Sequence, residues 1–175
     1  DIFIMNLPLK KVLKRVYFIC LLSSFTFISQ ISVLADTGLP LPRFVSLKSN
    51  VANLRTGPSK RYPIDWVYTY TNLPVKIISE YDDWRKIETQ EGISGWLYKT
   101  LVHNKRSVAI ENKVQKIYIK PNKSSRVRAY LERGVIAFLI TCKNEWCHIA
   151  TDRPKITGWI PQNALWGVLS GEFKE

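Results

Sequence analysis

Histidine is nearly missing from this chain, with two in 175 residues, and cysteine is scarce, with three. A zinc site takes about four Cys, His or carboxylate ligands. Here it would have to combine Cys142, Cys147, the adjacent His148, the distant His103 and scattered carboxylates, so no metal and no cofactor is expected. Acidic residues are also few: 14 Asp and Glu face 26 Lys and Arg, a net charge of +12. Phosphate-cradling glycine loops, the G-x-S-x-G turn and the H-E-x-x-H helix do not occur, which removes the signatures of P-loop, α/β-hydrolase and zinc-protease chemistry. Beyond residue 35 no long segment carries apolar residues at helical spacing. What is present instead is a series of short β-rich runs every eight to twelve residues, parted by Gly, Pro, Asn, Asp and Ser, which predicts an all-β chain.

The one extended apolar run, "VYFICLLSSFTFI" at 16–28, follows the basic stretch "KKVLKR" at 10–15. Its 13 residues suit the apolar region of a signal peptide and fall short of the roughly 20 that a membrane span requires. Val33 and Ala35 then stand at the third and first positions before a cut, so residues 1–35 are expected to be a signal peptide cleaved between Ala35 and Asp36. Met5 begins a more ordinary signal sequence, and the four residues before it read as an upstream extension. Cys20 as a lipoprotein cysteine is disfavoured by bulky Ile19; an uncleaved anchor is the alternative. The mature chain, 36–175, would keep 22 basic against 13 acidic side chains, a net of +9. Export to the periplasm or beyond takes it away from nucleic acid, so an anionic envelope polymer, lipid headgroups or an acidic protein would meet this charge; a solvated basic surface is the plain alternative.

The mature chain repeats itself. "LRTGPS" at 54–59 aligns with "IYIKPN" at 117–122, offset 63; "PVKIISEYDDWRKIE" at 74–88 aligns with "IAFLITCKNEWCHIA" at 136–150, offset 62; "SGWLYKTLV" at 94–102 aligns with "TGWIPQNAL" at 157–165, offset 63. Residues 36–42 read as a linker, 43–104 and 108–170 as two units, and "NKRS" at 104–107 as their boundary. Units this small are marginal alone, so the two should pack together or share a short ordered connection. Each is expected to hold five short antiparallel strands in a small, partly open barrel.

"VANLRTGPSKRYPIDWVY", "DDWRKI" and "GWLYKTLV" resemble a bacterial SH3 domain, the SH3-like barrel common in exported envelope proteins. The second unit resembles a divergent copy, with Ile119-Lys120-Pro121 where the first has Thr56-Gly57-Pro58. The resemblance implies two tandem SH3-like barrels that serve as binding or targeting modules. It implies a ligand of cell-wall peptide, peptidoglycan or an extended envelope-protein segment, and puts in doubt any ligand site at that loop of the second copy.

In this strand order "KNEW" at 143–146 is a hairpin tip, placing Cys142 and Cys147 on facing strand positions about 4.5–5.5 Å apart at Cα, within disulfide range. With Cys20 gone they are the two thiols of the exported chain, in a compartment where disulfides persist. Their counterparts at offset 62 are Glu80 and Arg85, an opposite-charge pair in the same place. His148 should point to the opposite sheet face from Cys147, which disfavours a thiol enzyme built on that pair. "EYDD" at 80–83 reads as an acidic turn rather than a carboxylate dyad.

The remaining candidates are surfaces. Tyr62, Trp66, Tyr68 and Tyr70 fall within nine residues, and the alternation 66, 68, 70 would put three on one strand face. They form the expected groove for an extended ligand, with Arg55 and Tyr62 as polar rim; the alternative is that Trp66 and Tyr68 are core. Trp84, Trp96, Trp146 and Trp159 read as structural. Residues 99–133 hold ten Lys or Arg against Glu111 and Glu132, and Lys105, Arg106, Lys116, Lys120, Lys123, Arg126 and Arg128 are the candidate patch for an anionic partner. The function expected is therefore a non-catalytic envelope binding module. The alternatives are a protein adaptor working through the basic surface and a thiol enzyme depending on Cys147.

Overall fold

The computed structural model describes residues 37–173; the expected signal peptide, its cut after Ala35 and Cys20 lie outside them. The described chain forms two seven-stranded antiparallel sheets. The first holds β1 (Arg43–Leu47), β2 (Ala52–Arg55), β3 (Ile64–Tyr68), β4 (Pro74–Tyr81), β5 (Trp84–Glu88), β6 (Ser94–Tyr98) and β7 (Val102–His103), with a 3-10 turn at Lys99–Leu101. The second holds β8 (Ser107–Ile110), β9 (Val114–Tyr118), β10 (Val127–Glu132), β11 (Ile136–Lys143), β12 (Trp146–Ala150), β13 (Thr157–Pro161) and β14 (Leu165–Trp166), with a 3-10 turn at Gln162–Ala164. The strand orders, β3-β2-β6-β5-β4-β1-β7 and β10-β9-β13-β12-β11-β8-β14, match position for position. These are two tandem SH3-like domains.

Seven strands form per copy where five were expected. The two extra ones in the first copy, β1 and β7, pair with each other through Ser46↔His103 and Leu47↔Val102. β8 and β14 do the same in the second. All four residues of β8 and the last four of β1 are buried, which abolishes the period-2 alternation by which a strand is recognised. Residues 37–42 are not a free tether, since Thr37 donates its N–H and hydroxyl to the Glu80 carboxylate and Leu41 packs on the first core.

Alternation elsewhere builds the cores. Leu54, Val75, Ile77, Ile87 and Leu97 fill the first, and Ile117, Ala137, Ile149 and Ile160 the second. Ile87 and Ile149, and Leu97 and Ile160, are repeat counterparts.

The hairpin β11–β12 turns through Asn144 and Glu145, both at positive φ, 48° and 62°, the geometry that matches the twist of paired strands. Cys142 and Cys147 face each other across it and form a disulfide, with Cα atoms 4.0 Å apart, closer than expected from an ordinary facing pair. Both belong to the second core. The bond closes a short loop, so its reduction should lower stability by about 2 kcal/mol, read as a drop in the denaturation midpoint on adding a reductant. A midpoint unchanged by reduction would mean that the bond contributes nothing.

The two domains meet around β1 and β8. The Ser46 and Ser107 hydroxyls are hydrogen-bonded in the interior, Ser107 N–H donates to Ser46 Oγ at 3.0 Å, and Ser107 Oγ donates to the Asn72 carbonyl. Trp166 meets Phe44 edge-on at 5.1 Å, donates its indole N–H to the Pro74 carbonyl at 3.4 Å and lies under Lys76.

Candidate functional site

β3 is the edge strand of the first sheet, hydrogen-bonded only to β2. Ile64, Trp66, Val67 and the flanking Tyr62 and Tyr70 are 45 to 69 per cent exposed. Trp66 and Tyr68 face Leu54 and Ala52 across the ladder, so they lie on the core side of the strand. Tyr68 is half-buried and packs on the core, and burial pushes its phenol pKa up. Trp66 stays exposed. Tyr70 is not on the strand face expected for it. β3 ends at Tyr68, and the chain turns through Asn72 at φ 60°, whose N–H bonds the Leu47 carbonyl. Arg55 does not stand free at a rim, because its guanidinium donates to the Tyr62 carbonyl at 2.7 Å and fastens the loop 56–63. Tyr62 in turn lays its ring against Gly57, where a Cβ would come within 2.5 Å of it.

The equivalent edge of the second domain is different in kind. β10 carries Arg128 and Glu132, both exposed, the sort of charge that discourages strand addition. Arg128 donates to the Thr157 carbonyl at 3.0 Å, and Lys116 faces Tyr130 across the ladder. Lys120, Lys123 and Arg126 are exposed in the β9–β10 loop. Lys105 caps the Phe138 ring at 3.9 Å. Arg106 leaves the expected patch altogether: it is half-buried, bonds the Gly167 carbonyl and pairs with Glu172. Burial works against the Glu172 carboxylate, but its bonds from Arg106 and the Leu169 N–H hold its pKa below the usual range.

The place taken by the disulfide in the second domain is taken by charge in the first. Glu80 faces Arg85 across the β4–β5 hairpin with Arg85 Nε 3.0 Å from its carboxylate, and Arg43 from β1 reaches the same oxygen. The Glu80 carboxylate is completely buried. Burial opposes its ionisation, and the hydrogen bonds from Arg43 and Thr37 overcome that and hold its pKa down. Sequence reasoning found the pair and missed Arg43, which reaches in from β1, and Thr37, which lies ahead of the repeat. Opposite, Cys147 lies in the core while His148 stacks on Trp159 at 4.9 Å on the outer face. With both sulfurs in the disulfide neither cysteine carries a free thiolate. Among the described residues no three His, Cys, Asp or Glu side chains gather as a metal site would require.

A cleft of about 850 Å³ opens in the second domain beside the β11–β12 hairpin, walled by Trp146, Pro161 and Phe173 and edged by Glu111, Glu145 and Lys123. At the equivalent place in the first domain stands an ion pair between Asp83 and Lys99. Asp83 accepts from Lys99 Nζ at 2.5 Å and from the Tyr98 hydroxyl at 2.9 Å. Those bonds hold the Asp83 pKa below its ordinary value and raise those of Tyr98 and Lys99. None of the cleft's residues except Lys123 was expected to bind. The signal was in the repeat, where the Asp83–Lys99 pair becomes Glu145 and Gln162.

The comparisons bear on the fold. The bacterial SH3 domain model matches residues 48–104 and again 111–167. No curated protein matches. Solved structures that align include NlpC1 from Trichomonas vaginalis, 12% identical with a TM-score of 0.34 over 81% of this chain and 51% of that one. NlpC2 from the same organism is 13% identical, TM-score 0.34, over 76% and 51%. An NlpC/P60 family protein from Bacillus cereus is 12% identical, TM-score 0.32, over 70% and 55%. The chain thus spans about half the length of these structures. Two family matches in tandem, each falling on one seven-stranded sheet, place this chain in the bacterial SH3 domain family.

Proposed function

We propose that this chain is a non-catalytic binding module of the bacterial envelope, exported, whose first domain holds an extended segment, a cell-wall peptide or a stretch of envelope protein, along β3. The observation that carries the reading is the row of exposed Tyr62, Ile64, Trp66, Val67 and Tyr70 on a sheet edge with no strand beyond it. Such an edge offers free backbone donors and acceptors to an added strand, and the exposed ring of Trp66, with Tyr62 and Tyr70 beyond the two ends of the strand, adds apolar contact. Asp65 is the one charge within β3, so little there repels a neutral segment. Purified protein should be retained by peptidoglycan at low salt. Trp66→Ala with Tyr70→Ala should cut retention about tenfold, the loss of two exposed ring contacts. Retention unchanged in the double variant would remove β3 from the site, and no retention of the parent would remove wall peptide as the ligand.

A second reading is favoured by the exposed Lys116, Lys120, Lys123 and Arg126 on β9 and in the β9–β10 loop, with Lys113 and Arg133 just outside the two strands. This is an adaptor that meets an anionic envelope polymer or acidic protein. Binding of that kind is screened and should vanish by about 0.5 M salt, where the Debye length is only a few ångströms; the β3 contact, largely apolar, should persist.

A further inference from the structure

We propose that the cleft of the second domain is a binding site for a polypeptide lysine, with the ligand's amine standing where the first domain places its own Lys99. The two copies hold the same backbone hydrogen bond at this place. Lys99 N–H donates to the Asp83 carbonyl at 2.8 Å, and Gln162 N–H donates to the Glu145 carbonyl at 2.8 Å. The backbone of the hairpin tip and of the 3-10 turn is therefore held in the same relation in both copies, and Asp83 and Glu145, Lys99 and Gln162, are equivalent positions in space.

In the first copy the acid at the hairpin tip is satisfied internally by Lys99 and Tyr98. In the second copy both partners have changed. Pro161 replaces Tyr98 and has no hydroxyl to give, and Gln162 turns its amide away to the Leu169 carbonyl at 2.8 Å. The Glu145 carboxylate is left with no ion pair and no hydrogen bond among the described residues, and so is that of Glu111 on the same cleft. Gln162, at the position of that lysine, lines the cleft together with Glu145, and Trp146 and Phe173 supply its aromatic lining. A lysine side chain suits it on both counts: four methylenes for the aromatic lining and an ammonium for the Glu145 carboxylate, with which Lys123, the cation on the same rim, makes no ion pair. The occupant is taken to be polypeptide because the group it replaces is a lysine on a polypeptide backbone. This site is separate from β3, and the two can fail independently.

The test is a titration of the full chain with the blocked peptide Ala-Ala-Lys-Ala-Ala, followed by the NMR resonance of the Trp146 indole N–H. The peptide should shift that resonance saturably, and its Nε-acetyl-lysine form should bind about tenfold more weakly, the loss of one charge-assisted contact. Glu145→Gln should weaken binding by a similar factor. Gln162→Lys is the decisive variant, because it rebuilds the internal pair of the first copy and should abolish binding while leaving the fold intact. Trp66→Ala should leave the titration unchanged whether or not β3 binds wall peptide. Equal binding of the acetylated peptide, undiminished binding by Gln162→Lys, or response to a wall stem peptide with the lysine peptide inert would each overturn the assignment.

Discussion

Replacing Glu80 by alanine should lower the stability of the chain by about 3 kcal/mol, the scale set by removing one partner from a buried ion pair. The carboxylate is completely buried and neutralises Arg43 and Arg85 at once, whose side chains are 17% and 8% exposed. Truncation leaves two guanidinium groups facing each other with their counter-ion gone, and it also frees Thr37 and so the segment ahead of β1. The same residue gives the protein an acid limb. The folded-state pKa of Glu80 lies below its ordinary value. Its contribution is therefore complete above the unfolded value, roughly 4.3, and is lost as pH falls through the lower, folded one. Urea denaturation midpoints measured from pH 7 down to pH 2 should fall steeply at the acid end in the parent and less so in Glu80→Ala. Identical slopes would show that Glu80 is not the group being titrated.

Gly158→Ala should cost about 3 kcal/mol, at the upper end for overpacking, because the obstacle is backbone. An added Cβ would come within 2.7 Å of the Tyr118 carbonyl oxygen and 2.4 Å of Ile117 Cγ2. β13 meets β9 through a single residue pair, Trp159↔Tyr118, and it can approach that closely only with no side chain at residue 158. Gly95 holds the same place in the first domain, where the Cβ would meet Leu54 Cγ at 2.6 Å and the Arg55 carbonyl at 2.9 Å as β6 reaches β2 through Arg55↔Trp96. Gly134→Ala is the control. Its φ is +82° with nothing within 4 Å of the added atom, so it should lose only the left-handed penalty, about 1 kcal/mol. Calorimetry of the two variants checks the order; a Gly158→Ala protein no weaker than Gly134→Ala would mean that the strands part freely.

These two predictions also mark how far the chain could be read without coordinates. The Gly-Trp pairs at 95–96 and 158–159 were visible as repeats and fixed the alignment, yet their reason, a carbonyl within 3 Å of the missing Cβ, belongs to contacts between strands about forty residues apart in sequence. The disulfide was legible because hairpin partners are close in sequence and alternation fixes which residues face each other. The same logic predicted Glu80–Arg85 and was blind to Arg43, which reaches in from a strand with no alternating pattern. The aromatic row failed in the opposite way. Periodicity carried Tyr70 onto β3 as though the strand continued, whereas the bond from Asn72 N–H to the Leu47 carbonyl turns the chain. Arg106 shows that charge counts in sequence overstate a patch, since one of its seven members is consumed by Glu172 and the Gly167 carbonyl.

On the binding function proposed above, the serine contact between β1 and β8 sets the spacing at which the two domains would meet one ligand. Only residues 104–106 join the two sheets, and the Ser46–Ser107–Asn72 bonds and the Trp166–Phe44 contact tie the domains together across that joint. A flexible tether between binding units tolerates any spacing within its reach. A locked joint instead acts as a ruler: once one end of a ligand is seated, the second gains effective concentration only if its own repeat matches the set separation. Avidity would then report the periodicity of the partner, and loosening the joint would broaden the range of partners while weakening the best one.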